Sequence, residues 1–453
     1  VASRGLGDVY KRQKFSYKEI WIISYPILLS LIMEQLIGMT DTAFLGRVGE
    51  VELGASALAG VYYMAIYMIA FGFSLGAQII IGRRNGERQY DKIGPVFYQG
   101  TYFLLLLAVV MFLLSRYFSP WILGNIIDSR YVYEATLSYI NWRVFGFFFS
   151  FIAVMFRAFF VGTTQTKTLT MNSIVMVLSN VVFNYILIFG KLGFPALGIA
   201  GAAIGSSLSE LVSVIFFIVY MHCRIDIRKY GLNRIGAFSS RLLKRILNVS
   251  LWTMIQNFVS MSTWFLFFLA VEHLGERPLA ITNIIRNVSA IPFMIVLTFA
   301  STCSTLVSNL IGGGDSRYVW GTIKQTIRMA YFFTLPFIVI FVCFPSVILR
   351  IYTDSPELIN ASVPALWVLC SSYIFMVPGG VLFQAVSGTG NTRAALLLEL
   401  ATLTIYVIYV VYMIFYLRID VAWCWTTEHV YGGCIMVLSY IYLKKGKWQG
   451  RKI

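Results

Sequence analysis

Long apolar runs alternate with short polar breaks along this chain, and the alternation repeats a dozen times. A helix needs about 20 apolar residues to cross a bilayer. Runs long enough, or nearly so, lie at 20–46, 54–82, 95–116, 133–161, 168–190, 196–221, 246–271, 279–311, 319–345, 360–388, 394–417 and 421–443. The pattern predicts an all-α polytopic membrane protein with 12 transmembrane helices. Pro26, Pro292, Pro336, Pro364 and Pro378 fall inside the runs. Neighbouring helices can satisfy the carbonyls a proline frees, so kinks at these points are tolerable. Composition agrees: only 12% of residues are charged, about half the share of a soluble domain.

The breaks carry the charge. If the N-terminus is cytoplasmic, the two tails and the even-numbered loops hold 25 Lys and Arg and the opposite loops hold 7. Arg116 and Lys324, near span ends, are counted there with the adjoining loops; four more, Arg143, Arg157, Arg286 and Arg328, lie within spans. Basic residues gather on the cytoplasmic side, so both termini are expected there. The same count accounts for the net charge of +16 without a nucleic-acid partner.

The longest break, 222–245, carries seven of these basic residues and falls at mid-chain. It reads as a cytoplasmic linker between an N-lobe (20–221, helices 1–6) and a C-lobe (246–443, helices 7–12). A tail at 1–19 precedes them and a basic cytoplasmic tail at 444–453 follows. Residues 1–13 lack the apolar core of a signal peptide and read as a polar tail or as non-native sequence. The lobes echo each other: Gly162-Thr-Thr-Gln-Thr-Lys167 matches Gly388-Thr-Gly-Asn-Thr-Arg393, 226 residues on, each closing a long apolar run. A weaker echo pairs 82–86 with 309–314. Six spans is an even number, so both halves enter from one side. That predicts two six-helix bundles related by a parallel pseudo-two-fold repeat, with a cavity between them.

Glu34 and Asp41 lie within the first run. An acid near the bilayer centre costs roughly 2.5–3.5 kcal/mol even on the lenient insertion scale. Seven residues apart, both occupy one helix face, which is expected to point into protein or a wet cavity. Asn180 and Asn184 stand one turn apart in the fifth run, and each offers a carbonyl oxygen and an amide. Beside a carboxylate they can ligate sodium or hold a neutral acid; interhelical bonding is the plainer alternative. Arg143, Arg157, Glu210, Arg286, Glu399 and Glu428 are further intramembrane charges. Of these, Arg143, Arg286 and Glu399, together with Glu34, are candidates for an accessory cavity.

Other chemistry is thin. The six cysteines form no C-x-x-C pair, and the three histidines have no metal-ligand spacing. Gly72-Phe-Ser-Leu-Gly76 fits the G-x-S-x-G hydrolase pattern, but that motif needs a strand before the serine. Inside an apolar run, close helix packing explains it better.

Taken together, Thr40-Asp41-Thr42 with Gly46 after it, the G-T-x-x-T-K/R turn closing runs four and ten, and Asn172, Asn180 and Asn184 along run five resemble the multidrug and toxic compound extrusion (MATE) family. Asn180-Val-Val-Phe-Asn184 and the following Gly198-Ile-Ala-Gly-Ala-Ala203 are similar to it as well. The resemblance covers about residues 15–443. It implies a two-lobed secondary antiporter that exports organic, cationic or amphipathic compounds in exchange for H+ or Na+ by alternating access. The family's N-lobe ion site carries over to Asp41, Asn180 and Asn184. Some members also carry acids on spans seven and ten; here 246–271 and 361–388 contain none, so no C-lobe ion site is transferred. No cofactor is expected beyond the coupling ion, and no metal beyond Na+ at Asp41, Asn180 and Asn184. The expected surroundings are a small-molecule substrate and membrane lipid, with the protein a monomer in the cell membrane (the inner membrane in a Gram-negative cell). The runner-up is a lipid-linked oligosaccharide flippase of the same broad superfamily, which would want Arg143 and Arg286 facing a cavity. An intramembrane enzyme is the distant third, since no nucleophile and base converge.

Overall fold

A computed structural model describes residues 14–449 apart from Asp128 and Lys447. Residues 1–13 of the expected 1–19 tail and the end of the expected basic tail lie outside that range. In chain order the helices are α1 (Tyr17–Leu45), α2 (Glu50–Gly86), α3 (Ile93–Ile126), α4 (Arg130–Arg143), α5 (Gly146–Gly162), α6 (Lys167–Phe189) and α7 (Ile199–Arg224), then α8 (Ser240–Glu272), α9 (Glu276–Gly312), α10 (Val319–Cys343), α11 (Pro345–Leu349), α12 (Pro356–Gly388), α13 (Thr392–Val410), α14 (Val421–Cys424) and α15 (Thr427–Lys445). A π-helical turn, Val411–Tyr416, extends α13.

These make twelve spans, with α4 and α5 together forming the fourth. Among the described residues nine helices are long and apolar enough to cross a membrane alone, and the α4–α5 pair passes as a tenth, bent by 53°. Helices α8 and α15 are not among these ten and take the seventh and twelfth places as the counterparts, 226 residues on, of α1 and α7. The ends follow local chemistry. Ser16 and Glu19 form a reciprocal capping box at the start of α1, and Ser355 caps Leu358 N at the start of α12, with Pro356 in the first turn.

The chain forms two compact units, Tyr25–Met254 and Ile255–Ile453, the second joined by the residues before Tyr25. These divisions differ from the expected borders at 20–221 and 246–443, and two contacts explain why. Before Tyr25, Trp21 stacks on Phe333 at 4.3 Å and Ser24 Oγ donates to Thr302 Oγ1 at 2.9 Å. The expected linker is bound to the first unit. Gly94 N donates to Tyr230 O (2.7 Å), Tyr98 Oη to Leu232 O (2.6 Å), Tyr102 Oη to Gly236 O (2.7 Å) and Gln99 Nε2 to Ala237 O (2.8 Å). Four donors from α3 thus satisfy linker carbonyls, so the segment is a strap on the N-lobe bundle.

The repeat runs at a constant offset through both units. Adding 226 to the ends of α2, Glu50 and Gly86, gives the ends of α9, Glu276 and Gly312. The 3-10 turns Tyr90–Lys92 and Ser316–Tyr318 correspond in the same way, as do the starts of α3 and α10. Left-handed residues recur too: Thr164 (φ 62°) with Gly390 (φ 85°), and Arg88 (φ 59°) with Gly314 (φ 75°). A Cβ on Gly162 would meet the Gln78 carbonyl at 3.0 Å, and one on Gly388 would meet the backbone of Ser304, which is Gln78 plus 226. The fourth span departs from the repeat: bent between α4 and α5, it is continuous as α12 in the C-lobe, while the third span, continuous as α3, is broken between α10 and α11.

The G-x-S-x-G run is helical. A Cβ at Gly72 would come within 2.8 Å of Met254 Cα, and one at Gly76 would strike Ser250. Ser74 Oγ is used by the Phe71 carbonyl at 2.7 Å. Close packing of α2 on the start of α8 accounts for the motif.

Candidate functional site

Asp41 sits near the end of α1, and helices α6 and α7 converge on it. Glycines on α7 allow the approach: a Cβ at Gly201 would strike the Leu187 carbonyl, and one at Gly205 would strike Asn184 Oδ1. Asn184 Nδ2 donates to Asp41 Oδ1, and Ser206 Oγ donates to Asp41 Oδ2 at 3.2 Å. Asn184 Nδ2 also reaches Asn180 Oδ1 at 3.2 Å, and Asn180 Nδ2 donates to Ser206 Oγ at 3.3 Å. Both asparagines are fully buried. One acceptor in this ring, Asn184 Oδ1, is buried with no hydrogen-bond partner. The three residues read from sequence therefore meet, and Ser206 joins them. Its one sequence signal was the Gly/Ala/Ser-rich character of 198–207, which marks close packing but not which hydroxyl faces the acid.

Beside this ring a cavity of about 260 Å³ opens within the same unit. Its charged lining is Glu34, Arg143, Arg157 and Glu210, set among Tyr63, Tyr67, Met64, Met176 and Phe217. Arg143 is committed: Nη1 and Nη2 bind Glu210 Oε2 and Oε1 at 2.8 and 2.6 Å, a bidentate pair. Its guanidinium lies 3.7 Å from the Tyr63 ring centre. The bend after α4 makes this possible. Gly146 opens α5 where a Cβ would collide with both Arg143 Nη1 and Glu210 Oε2. Arg157 is held loosely, 3.8 Å from Glu34 Oε1. Ser30 Oγ lies 2.9 Å from Ser173 Oγ and 3.5 Å from Glu34 Oε1. Asn172 lines the same cavity and accepts from Ser213 Oγ at 2.9 Å.

Of the four residues expected around an accessory cavity, Glu34 and Arg143 line this one. Arg286 and Glu399 do not; both belong to the other unit. Arg286 is exposed, 5.2 Å from the Phe268 ring centre. Glu399 is buried and accepts from Ser260 Oγ at 2.6 Å and Tyr431 Oη at 3.0 Å. Sequence could not separate these cases, because a charge inside an apolar run has the same signature whether it faces a cavity, a hydroxyl or lipid headgroups.

The MatE family model matches residues 26–186 and 233–413, most of both units. The chain belongs to the MATE family. Among curated relatives, "Probable multidrug resistance protein NorM" of Thermotoga maritima is 24% identical, covering 96% of this chain and 94% of its own. The protein of the same name from Synechocystis sp. is 23% identical, covering 94% and 93%. The eukaryotic MATE transporter AtDTX14 matches in fold with a TM-score of 0.82 at 18% identity, covering 95% of this chain and 96% of its own. A MOP superfamily transporter from Pyrococcus furiosus, reported to have a binding pocket of reversed polarity, gives 0.85 at 18%, covering 96% and 98%. MATE proteins are multi-pass membrane transporters and not enzymes, which also removes the hydrolase reading of 72–76.

Proposed function

We propose that this MATE transporter exports organic cations in exchange for an inward-moving ion held at Asp41. The observation that carries this reading is the closed ring of Asp41, Asn180, Asn184 and Ser206, with one acceptor left over. A buried acid ringed by neutral amides and a hydroxyl can exchange its charge for a proton, or pair with a sodium ion through the surrounding oxygens. The adjoining cavity suits an amphipathic cation. Glu34 is the acid least neutralised there, and tyrosine faces and methionines supply adaptable apolar contact.

The flippase reading needs free cationic charge for a pyrophosphate. Arg143 is already paired with Glu210, Arg157 has Glu34 beside it at 3.8 Å, and Arg286 lies outside this cavity, so the lining carries no excess of positive charge and the observations favour the exporter. Ethidium uptake into inside-out vesicles loaded with a higher H+ or Na+ concentration than the medium tests the proposal: accumulation with either ion supports it, and accumulation with neither overturns it. The topology proposed with it has both tails and the 222–245 strap cytoplasmic, from the basic count of 25 against 7. A cysteine placed at exposed Arg234 in a cysteine-free background should resist impermeant thiol reagents in intact cells and react in inverted vesicles.

A further inference from the structure

The C-lobe stretches 246–271 and 361–388 contain no acid, yet the lobe buries one on span eleven. Glu399 is 1% exposed. Its carboxyl meets Ser260 of α8 at 2.6 Å, and Tyr431 of α15 at 3.0 and 3.1 Å through its two oxygens. Among the described residues no Lys, Arg or His pairs with it. Two hydroxyls do not offset the cost of burying an ionised carboxylate, which in practice neutralises or takes a cation.

The surroundings hold more polar chemistry than packing needs. Tyr406, on α13 with Glu399, stands edge-on to Tyr431 at 6.2 Å. Its hydroxyl is buried and faces the buried Thr427 Oγ1. Tyr406 is 3% exposed and Thr427 is fully buried. Glu428 is the second acid here. It interacts electrostatically with Tyr373, Tyr406 and Tyr431, and it forms no ion pair among the described residues. The titratable groups facing Glu399 are thus Tyr431 on α15 and, behind it, Tyr406 and Glu428; Ser260 is the contact from α8.

The repeat gives this cluster a meaning. Subtracting 226 carries Ser260 to Glu34 and Glu399 to Ser173. In the N-lobe, Ser30 joins Glu34 to Ser173. Each lobe therefore places one acid and one serine at equivalent points of its first and fifth spans, with the acid on opposite partners. The N-lobe acid has Arg157 near it and the C-lobe acid has no cation.

We propose that Glu399 is a second proton-carrying carboxyl of this transporter, held in the C-lobe by Ser260 and Tyr431. It takes up a solvent proton as the neutral acid and returns it as the carboxylate, with Glu428 a second resting place along α15. Its role in export rests on the antiport reading above, but its protonation does not, and the test separates the two. Full-length protein is reconstituted in lipid, and infrared difference spectra are recorded across a pH step. A neutral-carboxyl C=O band should appear in the wild type, persist in Asp41→Asn and vanish in Glu399→Gln. Identical spectra for wild type and Glu399→Gln would overturn the proposal. Should Glu399→Gln fail to fold, Ser260→Ala and Tyr431→Phe leave the carboxyl in place and remove its donors. Both should raise the frequency of that band, and an unmoved band overturns the assignment. In vesicles, Glu399→Gln should lose pH-gradient-driven ethidium export while still binding ethidium; undiminished export would remove Glu399 from coupling. If the wild type exports nothing, the antiport reading fails and the infrared result still decides the site.

Discussion

The two lobes share much of one helix plan at a constant offset, and they fill one position of it with opposite chemistry. Adding 226 to the N-lobe ring of Asp41, Asn180, Asn184 and Ser206 gives Phe267, Tyr406, Val410 and Gly432. Phe267 is fully buried, edge-on to Trp425 at 5.3 Å, where Asp41 gathers amides and a hydroxyl. The backbone tolerates either filling because helix ends, turn glycines and small-residue contacts set its geometry, and these recur in both lobes. What differs is the function each filling permits. An acid site can change charge, whereas an aromatic site can only pack. The fourth span differs for a related reason: the bend before Gly146 makes room for the Arg143–Glu210 pair, and the continuous α12 carries Leu369 and Ser372 at the equivalent places.

The sharpest way to break this comparison is to remove charge from one lobe and bulk from the other. Asp41→Asn should abolish gradient-driven export while the protein still inserts and purifies. Phe267→Leu should lower the melting temperature and leave export per folded molecule largely intact. Normal drug resistance in cells expressing Asp41→Asn at wild-type level, or uncoupling by Phe267→Leu, would mean the lobes do not divide the work this way.

A smaller but still large effect is expected at the bent span. Glu210→Gln leaves Arg143 without its bidentate partner, and losing one member of a buried pair costs about 3–5 kcal/mol. Thermal unfolding in detergent should show this as a clear loss, with partial recovery when Arg143→Met is added. A melting point unchanged by Glu210→Gln would mean the pair is solvated and does not set the bend.

The finest test concerns the ring itself. In a double-mutant cycle of Asn184→Ala with Asp41→Glu, groups sharing one site should couple by about 0.5–3 kcal/mol in ion affinity. Strict additivity would reduce the ion site to Asp41 alone. The ion can be read from the same variants. With sodium, Asn180→Ala and Asn184→Ala should each weaken ion dependence, because a hard cation prefers several oxygens. With protons they should mainly move the pH optimum.

Much of this was legible before any fold was known. Apolar run length is a direct consequence of bilayer thickness, so twelve spans followed from sequence, and the 226-residue echo located the lobes. Asp41 and the paired asparagines were legible because polar groups in apolar runs carry a cost that must be met somewhere. Partners were not legible. Helical period says which residues share a face, but not which neighbouring helix that face meets. Only the tertiary structure chose Glu210 for Arg143, Ser206 for Asp41, and Ser260 with Tyr431 for Glu399. It alone fixed the bend in the fourth span, which follows Asn141 and Arg143 with no proline to announce it. It also decided that the basic mid-chain segment is a strap, since its backbone carbonyls find donors on α3 that no local pattern announces. The sequence settles which groups must be satisfied, and packing between distant segments settles by what.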